Sequence, residues 1–533
     1  LILLSFPAPP PTIYYVSLSG NDQNDGTSVA TAWKTLKKVK ATHFQPGDQV
    51  LFEGGSTFKG SIWLRSQSWG TASEPIVIGS YGQKRARISS GTSYGFYAHN
   101  LGGIEVRDLE FVGSGRLTNT GSGVVFHVDQ PNLHLQHIIL DNVRAHGYLV
   151  AGINIGSSNG TSGYQHVRIT NCVASGNGEA GIKSFAQELA AHHQWYISNC
   201  QAFDNAGRPD ITDTHTGNGI VLAGIDGALI EHCEAYYNGW LNANPGGGPV
   251  GIWGWNCNQL VIQHCESHHN RSGTMKDGGG FDLDGGCTNS ILQYNYSHDN
   301  EGPGYLLAQY QNAPPLHDVT IRYNISENDG RRHGHGAIQL WSSGANGGIQ
   351  RANIYNNTVF LSPPADGSQP KAVEITSDGV HDIVLHNNLL QTSGGLPLVH
   401  NVASRGVLLQ GNAYWSDGHP LLFQWDKQEY TSLEAWRNST SQETLDFQPT
   451  GLVLEPGLIN PGAGGTVSPL HSGRPLATLT AYHVKPDSKL RSTGLDLATQ
   501  FGIDAGTQDF FGSPVPARGT KGTIGAYEAI GGC

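Results

Sequence analysis

Short apolar stretches entered through glycine or alanine recur along the middle of this chain. They are G-I-K-S from Gly181, G-I-V-L from Gly219, G-I-W-G from Gly251, G-F-D-L-D from Gly280, G-Y-L-L from Gly304, A-I-Q-L from Ala337 and A-V-E-I from Ala372. In an extended strand successive side chains point to opposite faces, so the first apolar residue turns inward and the next turns outward. One outward column is then Lys183, Val221, Trp253, Asp282, Leu306, Gln339 and Glu374. A second is Phe185, Ala223, Trp255, Asp284, Ala308, Trp341 and Thr376.

Another pattern runs in step with these strands. The segments I-T-N-C-V-A-S-G-N, I-S-N-C-Q-A-F-D-N, I-E-H-C-E-A-Y-Y-N, I-Q-H-C-E-S-H-H-N and L-Q-Y-N-Y-S-H-D-N align without gaps. Their fourth positions are Cys172, Cys200, Cys233, Cys265 and Asn295, spaced 28 to 33 residues apart, and the column continues through Asn324, Asn357, Asn388 and Asn412. Five residues after the first five anchors stand Asn177, Asn205, Asn238, Asn270 and Asn300. This period, with short strands and no 3.6-residue spacing, predicts an all-β solenoid. Coils stacked at about 4.8 Å allow an asparagine column to hydrogen-bond along its own length.

These columns resemble the right-handed parallel β-helix proteins of the pectate-lyase-like superfamily, over roughly residues 60–415. The tail from Ser488 through Asp496, Asp504, Asp509 and Gly512 to Ile524-Gly525-Ala526-Tyr527-Glu528 is similar to endings of secreted bacterial members. The resemblance implies a single-stranded right-handed parallel β-helix and a choice among polysaccharide lyases, glycoside hydrolases, epimerases and tailspikes. A fold of this kind does not select the reaction.

The expected organisation is a leader remnant or extended tail over 1–12, an N-terminal cap with a short helix over 13–60, the β-helix over 61–415, and an irregular C-terminal cap over 416–533. Within the cap, residues 13–17 and 49–52 read as strands and 33–39 as a helix. Asp22, Asn24 and Asp25 read as an Asx-rich turn, with a calcium site as the alternative. Leu1-Ile2-Leu3-Leu4 reads as the end of an apolar secretory leader, which makes the expected location extracellular.

Composition narrows the partners. A length of 533 residues, 72 of them Gly and only 14% charged, suits one repeat architecture. The net charge of -12 argues against nucleic acid and anionic membrane surfaces, and no apolar run reaches about 18 residues. The expected state is a monomer acting on a polysaccharide. Seven cysteines leave at least one unpaired. The column at 172, 200, 233 and 265 reads as a packing ladder, and Cys257 with Cys287 is the best disulfide candidate.

The chemistry centres on Gly280-Phe281-Asp282-Leu283-Asp284-Gly285. Asp282 and Asp284 share a strand face about 6.6 Å apart at the backbone, within the range that inverting glycosidases use for an acid and a base. Long insertions at 206–218, 239–250, 271–279 and 358–371 raise walls, three of them leading into the strands around this pair. The catalytic candidates are Asp282, Asp284 and Glu301. The substrate-binding candidates are Trp253, Trp255, Gln339, Trp341, His333, His335, Glu374 and Lys183. Polygalacturonases and iota-carrageenases similarly carry their acids on this sheet. This chain has no N-T-D before its aspartates and no R-I-K after them, and its His333-Gly334-His335-Gly336 is only similar to the polygalacturonase G-H-G.

The favoured function is a glycoside hydrolase acting on a neutral or mildly charged glycan, with no cofactor required. The first alternative is a calcium-dependent lyase on a uronate polymer, with Asp277, Asp282 and Asp284 as metal ligands and Lys276 or His215 as base. The second is a non-catalytic glycan-binding adhesin. That reading predicts a flat outer sheet without walls.

Overall fold

The computed structural model describes residues 10–65, 68–467, 470 and 475–529. The leader reading falls largely on residues 1–9, and Cys533 is likewise outside the described residues. The chain divides into two compact units, one of Leu1–Gly178 with Ile182–Tyr196 and one of Glu179–Gly181 with Ile197–Cys533. Both are right-handed parallel β-helices, in which each coil gives one strand to each of three parallel sheets.

In the first unit, Ile13–Val16 pairs in parallel with Gln49–Glu53 and starts the stack. The helix is shorter than the sequence suggests, Leu36–Ala41, because Thr35 caps it through its hydroxyl. Asp22 accepts the backbone N–H groups of Lys34 and Thr35 at 2.8 and 2.9 Å, and Asp25 accepts that of Thr27 at 3.0 Å. These carboxylates are spent on folding the turn that leads into the helix.

In the second unit the inward column of the second sheet is Ile220, Ile252, Phe281, Tyr305, Ile338 and Val373, all buried. The residue before each Cys or Asn anchor takes a left-handed backbone, as at Asn199, His232, His264, Tyr294, Tyr323, Asn356 and Asn387. That one residue turns the chain from one sheet to the next.

Behind these turns lie two amide ladders. Asn295, Asn324, Asn357, Asn388 and Asn412 each donate Nδ2–H to the side-chain oxygen of the next member, at 2.8 to 3.2 Å. Their second Nδ2–H goes to a carbonyl of the preceding coil, for example Asn324 to Leu292 at 2.9 Å. Every donor points one way, so the last member needs only to accept. This ladder ends on the buried carboxylate of Glu443. The parallel ladder Asn205, Asn238, Asn270, Asn300 ends the same way, on Asp329 at 2.8 Å. A carboxylate is acceptor-only, which suits the final position. Asn270, Asn295 and Asn324 also head glycosylation triplets, but as buried ladder members they are closed to modification in the folded protein.

Cys200, Cys233 and Cys265 occupy the same column further along, with the Cys233 N–H donating to Cys265 Sγ at 3.4 Å. The expected Cys257–Cys287 bridge is absent. Both are free and buried, and their thiols donate to carbonyls of Trp255 and Gly254 at 3.3 and 3.2 Å. Reductant is therefore expected to leave the unfolding midpoint unchanged, and Cys172, Cys200, Cys233, Cys257, Cys265 and Cys287 should react with a thiol reagent only after denaturation.

The second sheet ends where Gln428–Tyr430 folds back antiparallel on Phe423–Trp425, under a helix, Leu433–Thr440, whose Trp436 stacks on Phe423 at 4.4 Å. The chain then covers the outer face of the third sheet. Gly464 and Val467 donate backbone N–H groups to Glu327 and Glu266 at 3.0 Å, and Tyr482 donates its hydroxyl to Glu327.

Candidate active site

Six strands of the second sheet form the floor: β1 Asn218–Ala223, β2 Val250–Trp255, β3 Gly279–Leu283, β4 Tyr305–Gln309, β5 Gly336–Ser342 and β6 Lys371–Ile375. Their register places Val221, Trp253, Asp282, Leu306, Gln339 and Glu374 side by side, the outward column read from the alternation. β3 fits here only because Gly280 has no side chain, since a Cβ would lie 2.2 Å from Ser297 Oγ. Loops from three of the insertions stand over this floor and supply Asp213 to His215, Asn244 with Gly246 to Gly248, and Met275 to Asp277. The result is a cavity of about 990 Å³, lined by residues of the second unit. The loops are tied to one another. Asp277 accepts the Gly248 N–H at 2.9 Å, Thr274 donates its hydroxyl to Asn244 at 3.0 Å, and His333 Nε2 donates to Thr274 O at 3.0 Å.

Asp282 and Asp284 both open into this cavity. Asp282 is 3% exposed on its floor, and its Oδ1 has no hydrogen-bond partner. Burial, reinforced by the charges of Asp284 and Asp277, pushes its carboxyl well above the usual range. Asp284 directly follows β3 and is partly open to the cavity, and its Oδ1 accepts the Gly285 N–H at 2.7 Å. Burial and Asp277 raise it to about 7, against the lowering effect of that hydrogen bond. The two acids thus stand on one face, and burial raises the carboxyl of each above its ordinary range.

The surrounding candidates fall into distinct places. Trp253 is 5% exposed, donates its indole N–H to Asn218 at 3.0 Å and packs on His215, so it is part of the wall rather than an open platform. Trp341 is 40% exposed and Trp255 partly so, and both present ring surface to the cavity. Gln339 accepts the Gly336 N–H at 3.0 Å and faces His335 Nδ1 at 3.3 Å, which leaves His335 Nε2 unpartnered. Burial holds the His335 imidazole below its ordinary value, so it is neutral at neutral pH. Glu374 lies three coils from Asp282, about 14 Å away by strand spacing. Burial pushes its carboxyl up, but His400 at 3.3 Å and Lys371 at 3.1 Å outweigh this and hold it below the usual range.

Two candidates lie elsewhere. Glu301 does not line the cavity. Its carboxylate accepts the Ser272 N–H at 3.0 Å and pairs with Arg332 at 3.6 Å, anchoring the base of the 271–279 loop. Lys183 belongs to the first unit, whereas the lining residues belong to the second. For the calcium alternative, the clusters of three ligand atoms within 4.8 Å found among the described residues include none of Asp277, Asp282 and Asp284. Lys276 and His215 do line the cavity.

Strand parity missed Tyr310, Lys371 and Asn244. Tyr310 follows the last residue of β4 and Lys371 opens β6, where alternation no longer fixes the facing side. Asn244 sits in a loop without periodicity. Tyr310 stands beside Gly285, where a Cβ would come within 3.2 Å of its ring.

Comparison with known proteins supports the same architecture. Residues 190–390 match the model of the right-handed β-helix region. The chain is 25% identical over 452 residues to a lacto-N-biosidase from Bifidobacterium longum subsp. longum, an alignment covering 66% of this chain. It spans only about a quarter of that relative, 27% of its length. Among solved structures, a GH136 lacto-N-biosidase from Eubacterium ramulus superposes with a TM-score of 0.53 at 20% identity, covering 76% of this chain and 67% of the other. A mannuronan C-5 epimerase A-module from Azotobacter vinelandii gives 0.52 at 14% identity, covering 69% and 91%. At these identities the structural likeness speaks for the fold.

Proposed function

We propose that this chain is a secreted glycoside hydrolase that cleaves a neutral or mildly charged glycan by an inverting, two-carboxylate mechanism. The observation that carries the reading is the Asp282/Asp284 pair, on one strand face in a walled cavity, with both carboxyls raised by burial. The sequence likeness to a lacto-N-biosidase supports a glycan-cleaving enzyme. Asp282, buried on the floor with its carboxyl held well above the usual range, serves as the general acid. Asp284 ionises near pH 7, touches the open part of the cavity and serves as the general base. Asp284 removes a proton from a water molecule as the water oxygen bonds to the anomeric carbon. The bond from that carbon to the glycosidic oxygen breaks, and Asp282 protonates the leaving oxygen. Each acid then exchanges its proton with solvent.

Trp255 and Trp341 offer ring faces to sugars, while Gln339, His335 and Glu374 offer hydrogen bonds along the cavity. Trp341→Ala is expected to raise KM roughly three- to tenfold with little change in kcat, the range for losing one aromatic contact. Equal loss in kcat would place Trp341 at the reacting centre instead.

A glycan panel tests the reaction class. Hydrolysis gives new reducing ends without the ultraviolet absorbance of unsaturated uronates, and proton NMR of the first product shows the inverted anomer. Asp282→Asn and Asp284→Asn should each slow it by about 10²–10⁴-fold. Appearance of that absorbance would assign a lyase, a retained anomer would remove the inverting mechanism, and absence of turnover on every glycan would leave an adhesin.

A further inference from the structure

The third sheet of the second unit carries a polar cluster that the proposed hydrolysis does not use. His268 and His269 on one coil stand beside His298 and Asp299 on the next, with His268 and His298 in register and the His269 N–H donating to His298 O. The rings of His268 and His298 stack with centroids 4.7 Å apart and planes 10° from parallel. Both present Nε2 to a buried glutamate, His268 to Glu234 at 3.3 Å and His298 to Glu266 at 3.0 Å. A neutral imidazole that gives its Nε2–H to a carboxylate turns a lone pair outward at Nδ1, and His298, which burial lowers but Asp299 and Glu266 raise to about 9, gives up its second proton when an ion binds. On that other edge, His268 Nδ1 lies 2.9 Å from His269 Nδ1, and His298 Nδ1 lies 2.9 Å from Asp299 Oδ2. His269, His298 and Asp299 offer donor atoms that all lie within 4.8 Å of one another, whereas His268 reaches this set through His269 and stands in a second such set with Glu266 and His298. Donors sharing one zinc ion at about 2.0–2.1 Å stand about 3 Å apart.

We propose that His268, His269, His298 and Asp299 form a zinc site that clips two neighbouring coils together, with Glu234 and Glu266 orienting the imidazoles. Three imidazoles and one carboxylate match zinc or cobalt better than calcium or magnesium, which take oxygen ligands. The glutamates supply the backing that metal-bound histidines need, fixing the tautomer and raising the basicity of the ligating nitrogen. Glu266 is itself held by the Val467 N–H at 3.0 Å, and Glu234 by Gln201 Nε2 at 2.8 Å. Both orienting groups are therefore fixed before any ion arrives. His268 and His298 are buried while His269 and Asp299 are partly exposed, which gives the ion a route from solvent. Arg271 and Arg331 act electrostatically on the cluster, but three carboxylates, Glu234, Glu266 and Asp299, outnumber them.

The test uses the full chain, stripped with chelator and titrated with Zn²⁺ by calorimetry and with Co²⁺ by visible absorption. Tight binding of one equivalent at this cluster is expected, with the intense bands of tetrahedral cobalt. His269 and Asp299 have φ of +54° and +53°, a conformation asparagine adopts readily. His269→Asn and Asp299→Asn should therefore keep the fold, checked by circular dichroism, while each weakens zinc binding at least tenfold. Glu234→Gln should weaken it about 10–100-fold, as loss of an orienting carboxylate does. His127→Asn, in the separate group of His99, His127 and Asp129 in the first unit, should leave this equivalent intact. The proposal is overturned if the stripped protein takes up no zinc, or if neither His269→Asn nor Asp299→Asn alters the zinc it binds. Both readouts are independent of glycan turnover.

Discussion

Asp284→Asn is expected to lower kcat by about 10²–10⁴-fold, the usual worth of a positioned general base, with KM little affected. The pH profile gives the finer test. In the parent protein kcat/KM should rise as pH increases through about 7, because Asp284 must lose its proton before it can accept one from water. It should fall again at higher pH, where Asp282 ionises and can no longer donate. The variant should lack the rising limb. Stability should move the opposite way. A carboxyl whose folded pKa lies above its unfolded value destabilises the fold as pH rises between the two values. Removing the Asp284 charge should therefore leave the protein at least as stable above pH 7. A variant with normal kcat, or with the rising limb intact, would remove Asp284 from the mechanism. A variant that merely unfolds would assign it a structural role.

The largest stability effect is expected from the amide ladder. Asn357→Ala removes the acceptor for both the backbone N–H and the Nδ2–H of Asn324, each at 3.0 Å, and the donor to Asn388. All of these groups are buried. Two orphaned donors at about 1–3 kcal/mol each, plus the lost packing, predict a loss of roughly 3–5 kcal/mol, read from urea unfolding midpoints. Position along the ladder also matters. Asn357→Asp keeps the acceptor but sets a carboxylate oxygen against the Asn388 oxygen, so it should be nearly as harmful. At the ladder's end the preference reverses: Glu443→Gln introduces donors where Asn412, Tyr414 and Thr450 already donate. If Asn357→Ala is neutral, the ladder does not hold the coils together.

The periodicity made the coils, both asparagine columns and the outward facing of Asp282 and Asp284 legible, because strand alternation and coil stacking are local rules applied many times over. The same rules failed where they stop applying. Tyr310 and Lys371 sit at strand mouths, and Glu443 ends a ladder from outside the repeat, so no periodic signal marked them. Cys257 and Cys287 occupy equivalent places on neighbouring coils, yet equivalence of position says nothing about which way a thiol points. Glu301 is adjacent in sequence to the coil after the aspartates, but its carboxylate is drawn under a loop by Ser272 rather than out into the cavity.

What the chain determined by itself is the solenoid and the register that turns two carboxylates to one face, since both follow from spacing along the backbone. What only the tertiary structure decided is how deep those carboxylates lie. Three loops from different coils close over them, and this enclosure raises both carboxyls above their ordinary range. Proton affinity depends on the water that neighbouring coils exclude, and no distance along the sequence encodes that.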